Sequence, residues 1–228
     1  MWYLKKKLMY ENKLESVADV KDFILEGEAE ITFPNNKMVI RNLLEYEKYG
    51  QKANIVYWCD RNFPNNVEIS WDFAPLSNRG LCIMFFSAMG KNGEDIFSTS
   101  LNKRTGEYQH YHSGDINAFH VSYFRRMFEE ERKLLVANLR KSYGFHLVAQ
   151  GADPLPYPED AKPPYRIKIV KCSNIIEFYI DDLFIFRFVD DGETYGKLLG
   201  GGKIGFRQMS PMIGEYSNLT VYEIEENL

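Results

Sequence analysis

The chain has 228 residues, a length that accommodates either one large β-sandwich or two smaller domains. Hydrophobic residues make up 45% of the sequence, aromatic residues 15% and charged residues 26%, which excludes a disordered chain and indicates a globular protein with a large core. The formal net charge of −4 provides no field that would attract nucleic acid or an anionic membrane, so we expect neither partner.

Location and redox state follow from the apolar runs and the cysteines. The best apolar run, residues 80–89, is shorter than the roughly 18 residues that a membrane-spanning helix needs. The first residues carry three lysines without a following apolar segment, so we expect no secretory signal and a cytoplasmic protein. Cys59, Cys82 and Cys172 are odd in number and widely spaced, which favours reduced core thiols over disulfides or a zinc site.

The first half of the chain shows the pattern of an all-β protein, with short segments rich in Val, Ile, Phe and Tyr separated by Gly, Asn, Asp and Pro. Residues 17–25 are the first of two short predicted helices, with Ser16 as the N-cap. Residues 67–73 alternate apolar and polar side chains and predict a half-buried strand. Residues 80–89 are apolar on both faces, so we expect another part of the chain to cover the outer face of this strand.

The second half continues the pattern. Residues 123–135 form an ambiguous second helix, and residues 165–189 form a strand meander with turns at residues 173–174 and 181–182. Two more strands, at residues 203–209 and 218–224, complete roughly a dozen. No repeat or linker divides the sequence. We therefore predict one domain over residues 1–228, an antiparallel two-sheet β-sandwich.

Two polar segments, residues 90–117 and 150–164, are too long for ordinary hairpin turns. Long loops in compact domains are commonly functional, and the first of these contains aromatic residues and histidines. We expect it to be an ordered lid. Long loops folded over one sheet would also explain the strand that is apolar on both faces.

The densest group of chemically active side chains lies between residues 108 and 126. If residues 119–126 form a strand, one face carries the apolar side chains of Phe119, Val121 and Tyr123 and faces the core. The other face carries polar side chains and would line a groove. Its members are His120, Ser122 and Arg126, joined by Asn138 and Arg140 from the next segment and by His146, Asp115 and Asn117 nearby.

Alternative interpretations exist for these residues. His120 is also consistent with a hydrogen-bonded structural histidine, and Arg125 with a surface ion pair to the glutamates that follow it. His110 and His112, two residues apart, could ligate a metal together with Asp115, but the sequence does not determine whether a metal is bound. Trp58 is a candidate platform for stacking on a sugar, whereas Trp71 fits the core pattern.

Two carbohydrate chemistries can be compared. Glu68 and Asp72 share a strand face, but their Cα atoms would lie ~13 Å apart, beyond the ~5–9.5 Å between paired glycosidase carboxylates. Breaking a uronic-acid polymer by β-elimination instead needs a cation or amide at the sugar carboxylate and a His or Tyr to transfer protons. Arg126, Arg140 and Asn138 would meet the first need. The candidates for the second are His120, His112 and Tyr111, because Tyr123 points toward the core.

Several sequence blocks resemble the YesU-like family of bacterial proteins, and the resemblance runs from about residue 10 to residue 221. A block of sixteen residues of mixed polar type is highly specific. The strongest blocks are YHSGDINAFHVSYFRR (111–126), NLRKS (138–142), GFHL (144–147), GADPLP (151–156) and GKIGFRQM (202–209).

The resemblance implies a fold and a setting. The family is placed in the concanavalin A-like lectin/glucanase superfamily, which implies a jelly roll with loops over a concave, carbohydrate-binding face. Family members are associated with breakdown of acidic plant polysaccharides such as rhamnogalacturonan. No catalytic residues are carried over, and the Glu-x-Asp-x-x-Glu spacing of the superfamily's glucanases is missing here. We expect no cofactor, although the superfamily leaves open a structural calcium.

Three functional hypotheses remain. In the first, the protein binds and processes uronate-containing oligosaccharides in the concave groove, as a lyase or a glycosidase, and the residue types favour a lyase over a retaining glucanase. In the second, it is a noncatalytic carbohydrate-binding or sensing protein. In the third, it is a structural homodimer; the sequence does not distinguish a monomer from a dimer. The expected substrate-binding residues are Arg126, Asn138, Arg140, His146, Trp58, Asp115 and Asn117.

Overall fold

A computed structural model describes residues 2–227 and consists of two antiparallel sheets packed face to face. The predicted all-β sandwich is therefore confirmed. The strands within these residues are β1 (Tyr3–Asn12), β2 (Phe23–Glu26), β3 (Ala29–Thr32), β4 (Met38–Asn42), β5 (Ile55–Phe63), β6 (Val67–Pro75), β7 (Leu81–Gly90), β8 (Ile116–Tyr123), β9 (Val136–Lys141), β10 (His146–Ala152), β11 (Tyr165–Cys172), β12 (Ile175–Ile180), β13 (Leu183–Val189), β14 (Gly202–Met209) and β15 (Ile213–Glu226).

Short helices connect some of these strands. The α-helices are α1 (Tyr46–Tyr49), α2 (Gln109–His112) and α3 (Glu129–Leu134), and the 3-10 helices are Val17–Val20, Pro34–Asn36 and Gly50–Ala53. Within the described part of the chain, no helix is long and apolar enough to cross a membrane.

The two sheets differ in size and strand order. The eight-stranded sheet has the order β13-β12-β11-β6-β15-β4-β3, with β1 paired to β15 as its eighth strand. The seven-stranded sheet has the order β10-β9-β8-β7-β14-β5-β2. The meander β11-β12-β13 follows the prediction, with Ser173 and Asp181 at positive φ in its turns.

The main core lies between the sheets and follows the predicted alternation. On β6, Val67, Ile69, Trp71 and Phe73 are buried in this core, as the alternation of apolar residues predicts. The Trp71 indole also donates a hydrogen bond to the Tyr123 hydroxyl at 3.1 Å. All three cysteines are buried and free, as expected for reduced core thiols.

A second apolar cluster lies on the outer face of the seven-stranded sheet. Ile83 and Phe85 of β7 point away from the main core and pack with Ile96 and Tyr111 from the segment that follows the strand. The prediction that the strand at residues 80–89 is covered on its outer face is confirmed. Residues 91–115 provide much of this cover and are called the covering loop below.

Both predicted helices are mostly wrong. Of residues 17–25, only Val17–Val20 is helical, as one 3-10 turn, because Phe23–Glu26 instead forms β2 and pairs with β5. Of residues 123–135, only Glu129–Leu134 is helical. Weak helix propensity is overridden when a segment gains strand pairing and burial in the tertiary structure.

Candidate functional site

The covering loop is fastened to the seven-stranded sheet by a buried carboxylate. Glu26 Oε2 accepts hydrogen bonds from the Trp58 indole at 2.9 Å and from the Tyr111 hydroxyl at 2.8 Å. Glu26 Oε1 lies 2.6 Å from Arg104 Nη2, and both side chains of this ion pair are more than nine-tenths buried. The loop is thus held by one charged pair and two neutral donors that meet on a single carboxylate.

Arg207 provides a second attachment from β14. Its Nη1 donates to the Gly106 carbonyl of the covering loop at 2.6 Å, and the side chain is fully buried. Its guanidinium also lies 4.7 Å from the centre of the Tyr108 ring and 5.3 Å from that of Tyr111. A permanent cation therefore sits under the aromatic part of the loop.

The outer groove is a cavity of about 200 Å³ beside the covering loop, on the outer face of the seven-stranded sheet. Its polar lining comes from β8, β9, the covering loop and the segment from Arg125 to α3. Because His120 pairs with Arg140 and Ser122 with Asn138 across β8 and β9, side chains of both strands point to the same side. The lining includes Tyr108, Ser122, Arg125, Asn138, Arg140, Phe145, Phe128 and Glu131.

The outer groove is positively charged. Arg125 Nη2 pairs with Glu131 at 2.8 Å, whereas the Arg140 guanidinium lies 3.7 Å from the centre of the Phe145 ring and donates to the Phe145 carbonyl at 2.9 Å. Burial lowers the pKa of Arg140, and the charge of Arg125 lowers it further. Glu131 is the one carboxylate among the described residues that line the groove. The arrangement favours an anion between the two guanidinium groups.

A tyrosine–histidine pair lies at the edge of the outer groove. The Tyr108 hydroxyl is 2.7 Å from His120 Nδ1, and the His120 ring stacks on Phe85 at a centroid distance of 5.2 Å. Burial lowers the pKa of His120 well below its usual value, and the charge of Arg140 acts in the same direction. Burial also raises the pKa of Tyr108 to about 12, against the opposing charge of Arg207. Both groups are therefore neutral near pH 7.

The structure brings some of the predicted site residues together. Asn138 and Arg140 line the outer groove, and the buried His120 reaches it through Tyr108. His112 packs beside them, with its ring 5.1 Å from that of Tyr108 and 4.8 Å from that of Phe145. Burial lowers the pKa of His112 as well. The catalytic and binding roles assigned to these residues stay predictions.

The expected placement of Arg126 in the groove is wrong. β8 ends at Tyr123, and Phe124 takes a positive φ of 46°, which breaks the alternation before Arg126 is reached. Arg126 is fully buried and pairs with Asp153 at 2.8 Å. Arg125 lines the groove instead. The alternation signal could not reveal this exchange, because it assumed a strand that continues to residue 126.

Trp58 and Tyr111 also differ from expectation. Trp58 is fully buried and packs on Phe85 at a centroid distance of 5.4 Å, so the expected sugar-stacking platform is wrong. Tyr111 is equally buried, and its hydroxyl accepts a hydrogen bond from the Gly106 amide while donating to Glu26. A hydroxyl that is shielded and used twice in fastening the loop is not placed to exchange a proton with a ligand.

The remaining predicted residues lie elsewhere. His146 and Asn117 line a larger cavity of about 680 Å³ at one end of the sandwich, called the end cavity below. Asp115 lies on the covering loop and accepts hydrogen bonds from the backbone and side chain of Asn102 at 2.9 and 2.7 Å.

The two histidines proposed as metal ligands interact with different neighbouring side chains. His110 lies 3.7 Å from Glu107, and His112 Nδ1 is 2.7 Å from the Ser113 hydroxyl. Among residues 2–227, no three His, Cys, Asp or Glu side chains are grouped in a way that could hold a metal ion. The arrangement gives no support to a metal site at His110, His112 and Asp115.

Known proteins with similar sequence or structure fall into two classes. The chain is 48% identical over 221 residues to "Uncharacterized protein YesU" of Bacillus subtilis (strain 168), covering 97% of this chain and 98% of that protein. It is also similar to a crystal structure of a protein of unknown function with a galectin-like fold from Bacillus subtilis. That likeness has a TM-score of 0.95 and 47% identity, over 99% of this chain and 100% of the other.

More distant structures share the fold alone. The carbohydrate-binding module CBM66 from Bacillus subtilis has a TM-score of 0.55 and 12% identity, over 88% of this chain and 95% of the module. The family model described as "Domain of unknown function (DUF1961)" matches residues 7–221. This match and the near full-length similarity to YesU show that the chain belongs to the DUF1961 family.

Proposed function

We propose that the outer groove binds an acidic oligosaccharide, with a sugar carboxylate held between Arg125 and Arg140. The observation that carries this proposal is the pair of guanidinium groups in one groove with a single compensating carboxylate, Glu131. Arginine presents parallel N–H donors that match the two oxygens of a carboxylate, and a partly desolvated site strengthens such bonds. A neutral sugar would leave the excess charge of the groove unused.

Aromatic and neutral polar groups complete a surface suited to a sugar. Phe145 and Phe128 both line the groove and keep 48% and 39% of their surface exposed. Such rings can pack on the apolar face of a pyranose, while the Ser122 hydroxyl supplies a hydrogen-bonding group for a sugar hydroxyl. The similarity in fold to a carbohydrate-binding module agrees with this assignment.

The polymer that we propose as the source is rhamnogalacturonan-like, because its galacturonate residues carry the carboxylate that the two arginines require. Neutral rhamnose units next to the charged unit would then lie against the aromatic rings of the groove. A pure polygalacturonate presents a carboxylate on every ring, and the groove has one position with two arginines. Alternation of charged and neutral rings therefore fits the groove better.

Calorimetric titration tests this proposal. Wild-type protein should bind oligosaccharides of rhamnogalacturonan and not their carboxyl-reduced, neutral counterparts. Arg140→Gln removes the unpaired guanidinium and should weaken binding at least about tenfold, the value of one charged hydrogen bond. Arg79→Gln, which changes an exposed arginine paired loosely with Glu47, is the matched control and should bind like wild type.

The proposal fails if no acidic oligosaccharide binds, or if Arg140→Gln and Arg79→Gln bind equally well. Titration with homogalacturonate oligosaccharides of equal length decides the finer assignment. Equal or tighter binding of these would retain the uronate site and overturn the preference for rhamnogalacturonan.

The Tyr108–His120 pair favours a second candidate function, β-elimination of the bound uronate. In this scheme the Tyr108 oxygen removes the C5 proton of the sugar while its own proton passes to His120 Nδ1, 2.7 Å away. The electron pair forms the C4–C5 double bond, the C4–O bond breaks, and the proton returns through Tyr108 to the leaving oxygen. Tyr108→Phe should then abolish the absorbance of unsaturated product while retaining binding, whereas wild type that binds without product excludes the lyase.

A further inference from the structure

The end cavity lies apart from the outer groove and shares no lining residue with it. It opens where β7 and β9 end and β8 begins, between the turn that connects β9 to β10 and the segment of residues 190–201. Its volume of about 680 Å³ lies within the range of small-molecule sites and is more than three times that of the outer groove. The cavity is therefore large enough for a ligand of one or two sugar rings.

The charged lining of the end cavity is entirely cationic. Its ionisable members include three lysines and His146, and no Asp or Glu lines the cavity within residues 2–227. Lys141 is fully buried and neutralised by Asp190 at 2.7 Å. Lys91 and Lys197 are exposed and form no ion pair in the described part of the chain. Two lysine charges are therefore available to a ligand.

Hydrogen bonds from Asn102 lower the pKa of the Asp115 carboxylate, and the nearby charge of Lys91 lowers it further. The carboxylate stays bound to Asn102 and does not occupy the cavity. The ammonium group of Lys91 instead stands 3.8 Å from the centre of the Tyr143 ring. A cation–π contact leaves the ammonium charge without a counter-ion, so Lys91 is available to a bound anion.

Two tyrosines provide ring faces in the same cavity. Tyr143 keeps 52% of its surface exposed, and Tyr195 packs against His146 at a centroid distance of 5.3 Å. Aromatic faces of this kind combine apolar contact area with a polar hydroxyl. A pyranose ring, which has an apolar face and a rim of hydroxyls, matches both properties.

Backbone and amide groups complete the lining. Asn117 faces the cavity, and its Oδ1 is buried without a hydrogen-bond partner in the described structure, which makes it an unused acceptor. Gly93, Gly196 and Gly200 also line the cavity, and a Cβ at any of them would meet no atom within 4 Å. These three lining positions therefore carry no side chain although they have room for one.

We propose that the end cavity is a second binding site, specific for an anionic saccharide of one or two rings. Lys91 and Lys197 bind the anionic group, carboxylate or phosphate, and the ring packs on Tyr143 or Tyr195. This site goes beyond the oligosaccharide site of the outer groove, because it has separate residues and a size limit set by the cavity.

Ligand-observed NMR titration with three small probes tests the site. Galacturonic acid carries a carboxylate, glucose 6-phosphate carries a phosphate, and galactose carries no charge. At least one of the two anions should bind saturably, in the millimolar range or tighter, and galactose should bind at least about tenfold more weakly. The stronger anion identifies the group that the lysines prefer.

Variants then locate the bound probe. The double variant Lys91→Gln/Lys197→Gln should weaken binding of the anion at least about tenfold, because both ligand-directed charges are removed. Lys7→Gln changes an exposed lysine on β1 and is the matched control. Arg140→Gln, which disables the outer groove, should leave binding at the end cavity unchanged.

Each contrary outcome has a distinct meaning. If neither anion binds saturably, or if galactose binds as well as they do, the second site does not exist. If Arg140→Gln abolishes binding and the double lysine variant does not, the probe occupies the outer groove and the end cavity is overturned while the groove survives. If the double variant alone loses binding, the end cavity stands even where longer oligosaccharides fail to bind the groove.

A variant that fills the cavity without changing its charge tests the site independently of the lysine substitutions. Gly200 does not have a positive φ, and nothing stands within 4 Å of its Cβ position, so Gly200→Leu should fold normally. The added side chain should weaken binding of the anion without changing the thermal midpoint by more than a few degrees. Retention of full affinity would contradict a ligand bound against this wall.

Discussion

The outer faces of the two sheets follow opposite designs. The outer face of the eight-stranded sheet, called the open face below, has one small apolar cluster around Val170 and otherwise carries polar side chains that bind one another across strands. Arg166, for example, donates to Asp72 at 3.0 Å and to Ser70 at 2.7 Å. The outer face of the seven-stranded sheet instead carries an apolar cluster, including Ile83 and Phe85, beneath the covering loop. Most of the first face needs no additional segment to cover it, whereas the apolar cluster of the second face is shielded from water only because the covering loop packs on it.

This difference explains where a binding site can form. Polar groups on the open face, such as the pair Arg166 and Asp72, satisfy each other and are partly reached by water. On the covered face, apolar packing fixes the loop and confines the polar groups to its edges, where Arg140 and Tyr108 line the outer groove. Confinement beside a low-dielectric cluster strengthens the interaction of these groups with a ligand.

The largest effect should come from removing the carboxylate that fastens the loop. Glu26→Ala leaves Arg104 as a buried unpaired charge and deprives Trp58 and Tyr111 of their acceptor. We expect the free energy of unfolding to fall by about 3–5 kcal/mol, the usual cost of breaking a buried ion pair. Chemical denaturation followed by tryptophan fluorescence measures this change.

The matched control removes a carboxylate from the open face. Asp72→Ala breaks its ion pair with Arg166, whose side chain is about one-third exposed, so we expect a loss of about 1 kcal/mol or less. Equal losses for Glu26→Ala and Asp72→Ala would contradict the distinction between a covered face and an open one.

A smaller effect should follow from truncating an apolar contact of the covering loop. Ile96 is buried in the outer cluster, and Ile96→Ala should lower the free energy of unfolding by about 2–4 kcal/mol. Leu183 is more than half exposed at the start of β13, and Leu183→Ala should change it by about 0.5 kcal/mol or less. If Ile96→Ala is as mild as Leu183→Ala, the loop does not contribute to the folded core.

The covered face could be predicted from the sequence, because the spacing and number of apolar residues in a strand indicate which of its faces are buried. The apolar side chains of β6 alternate and face the core as predicted, but the strand is not half-buried, because Glu68 and Ser70 on its other face are buried as well. β7 is apolar on both faces, and a run of that kind predicts a cover over its outer side. The two sheets, the meander β11-β12-β13 and the core side of β8 follow from the same reasoning. Near full-length resemblance to a family added the sandwich topology.

The residues that line the site were harder to predict from the sequence. They depend on the backbone conformation of single residues and on which segments pack over the sheet. A positive φ at Phe124 exchanges Arg126 for Arg125 in the groove, and no side-chain period records that angle. Trp58 was expected at a surface, but the covering loop buries it by placing Tyr111 above it. Whether Trp58 is exposed to a sugar or packed in the protein is decided by residues that are distant from it in the sequence.

The smallest predicted effect concerns pH and the histidine beneath the loop. The pKa of His120 is held well below its usual value by burial, whereas an unfolded histidine titrates near pH ~6.5. Below that pH the unfolded chain binds a proton that folded His120 does not, so stability should fall as pH decreases, by up to ~1.4 kcal/mol per pH unit. His120→Gln should remove this contribution, and exposed His146→Gln should keep it. Unfolding free energies at pH 7.5, 6.5 and 5.5 for the three proteins measure the difference. Parallel pH dependence in wild type and His120→Gln would mean that the covering loop admits solvent to His120, and the contrast between the two faces would then be weaker than the packing indicates.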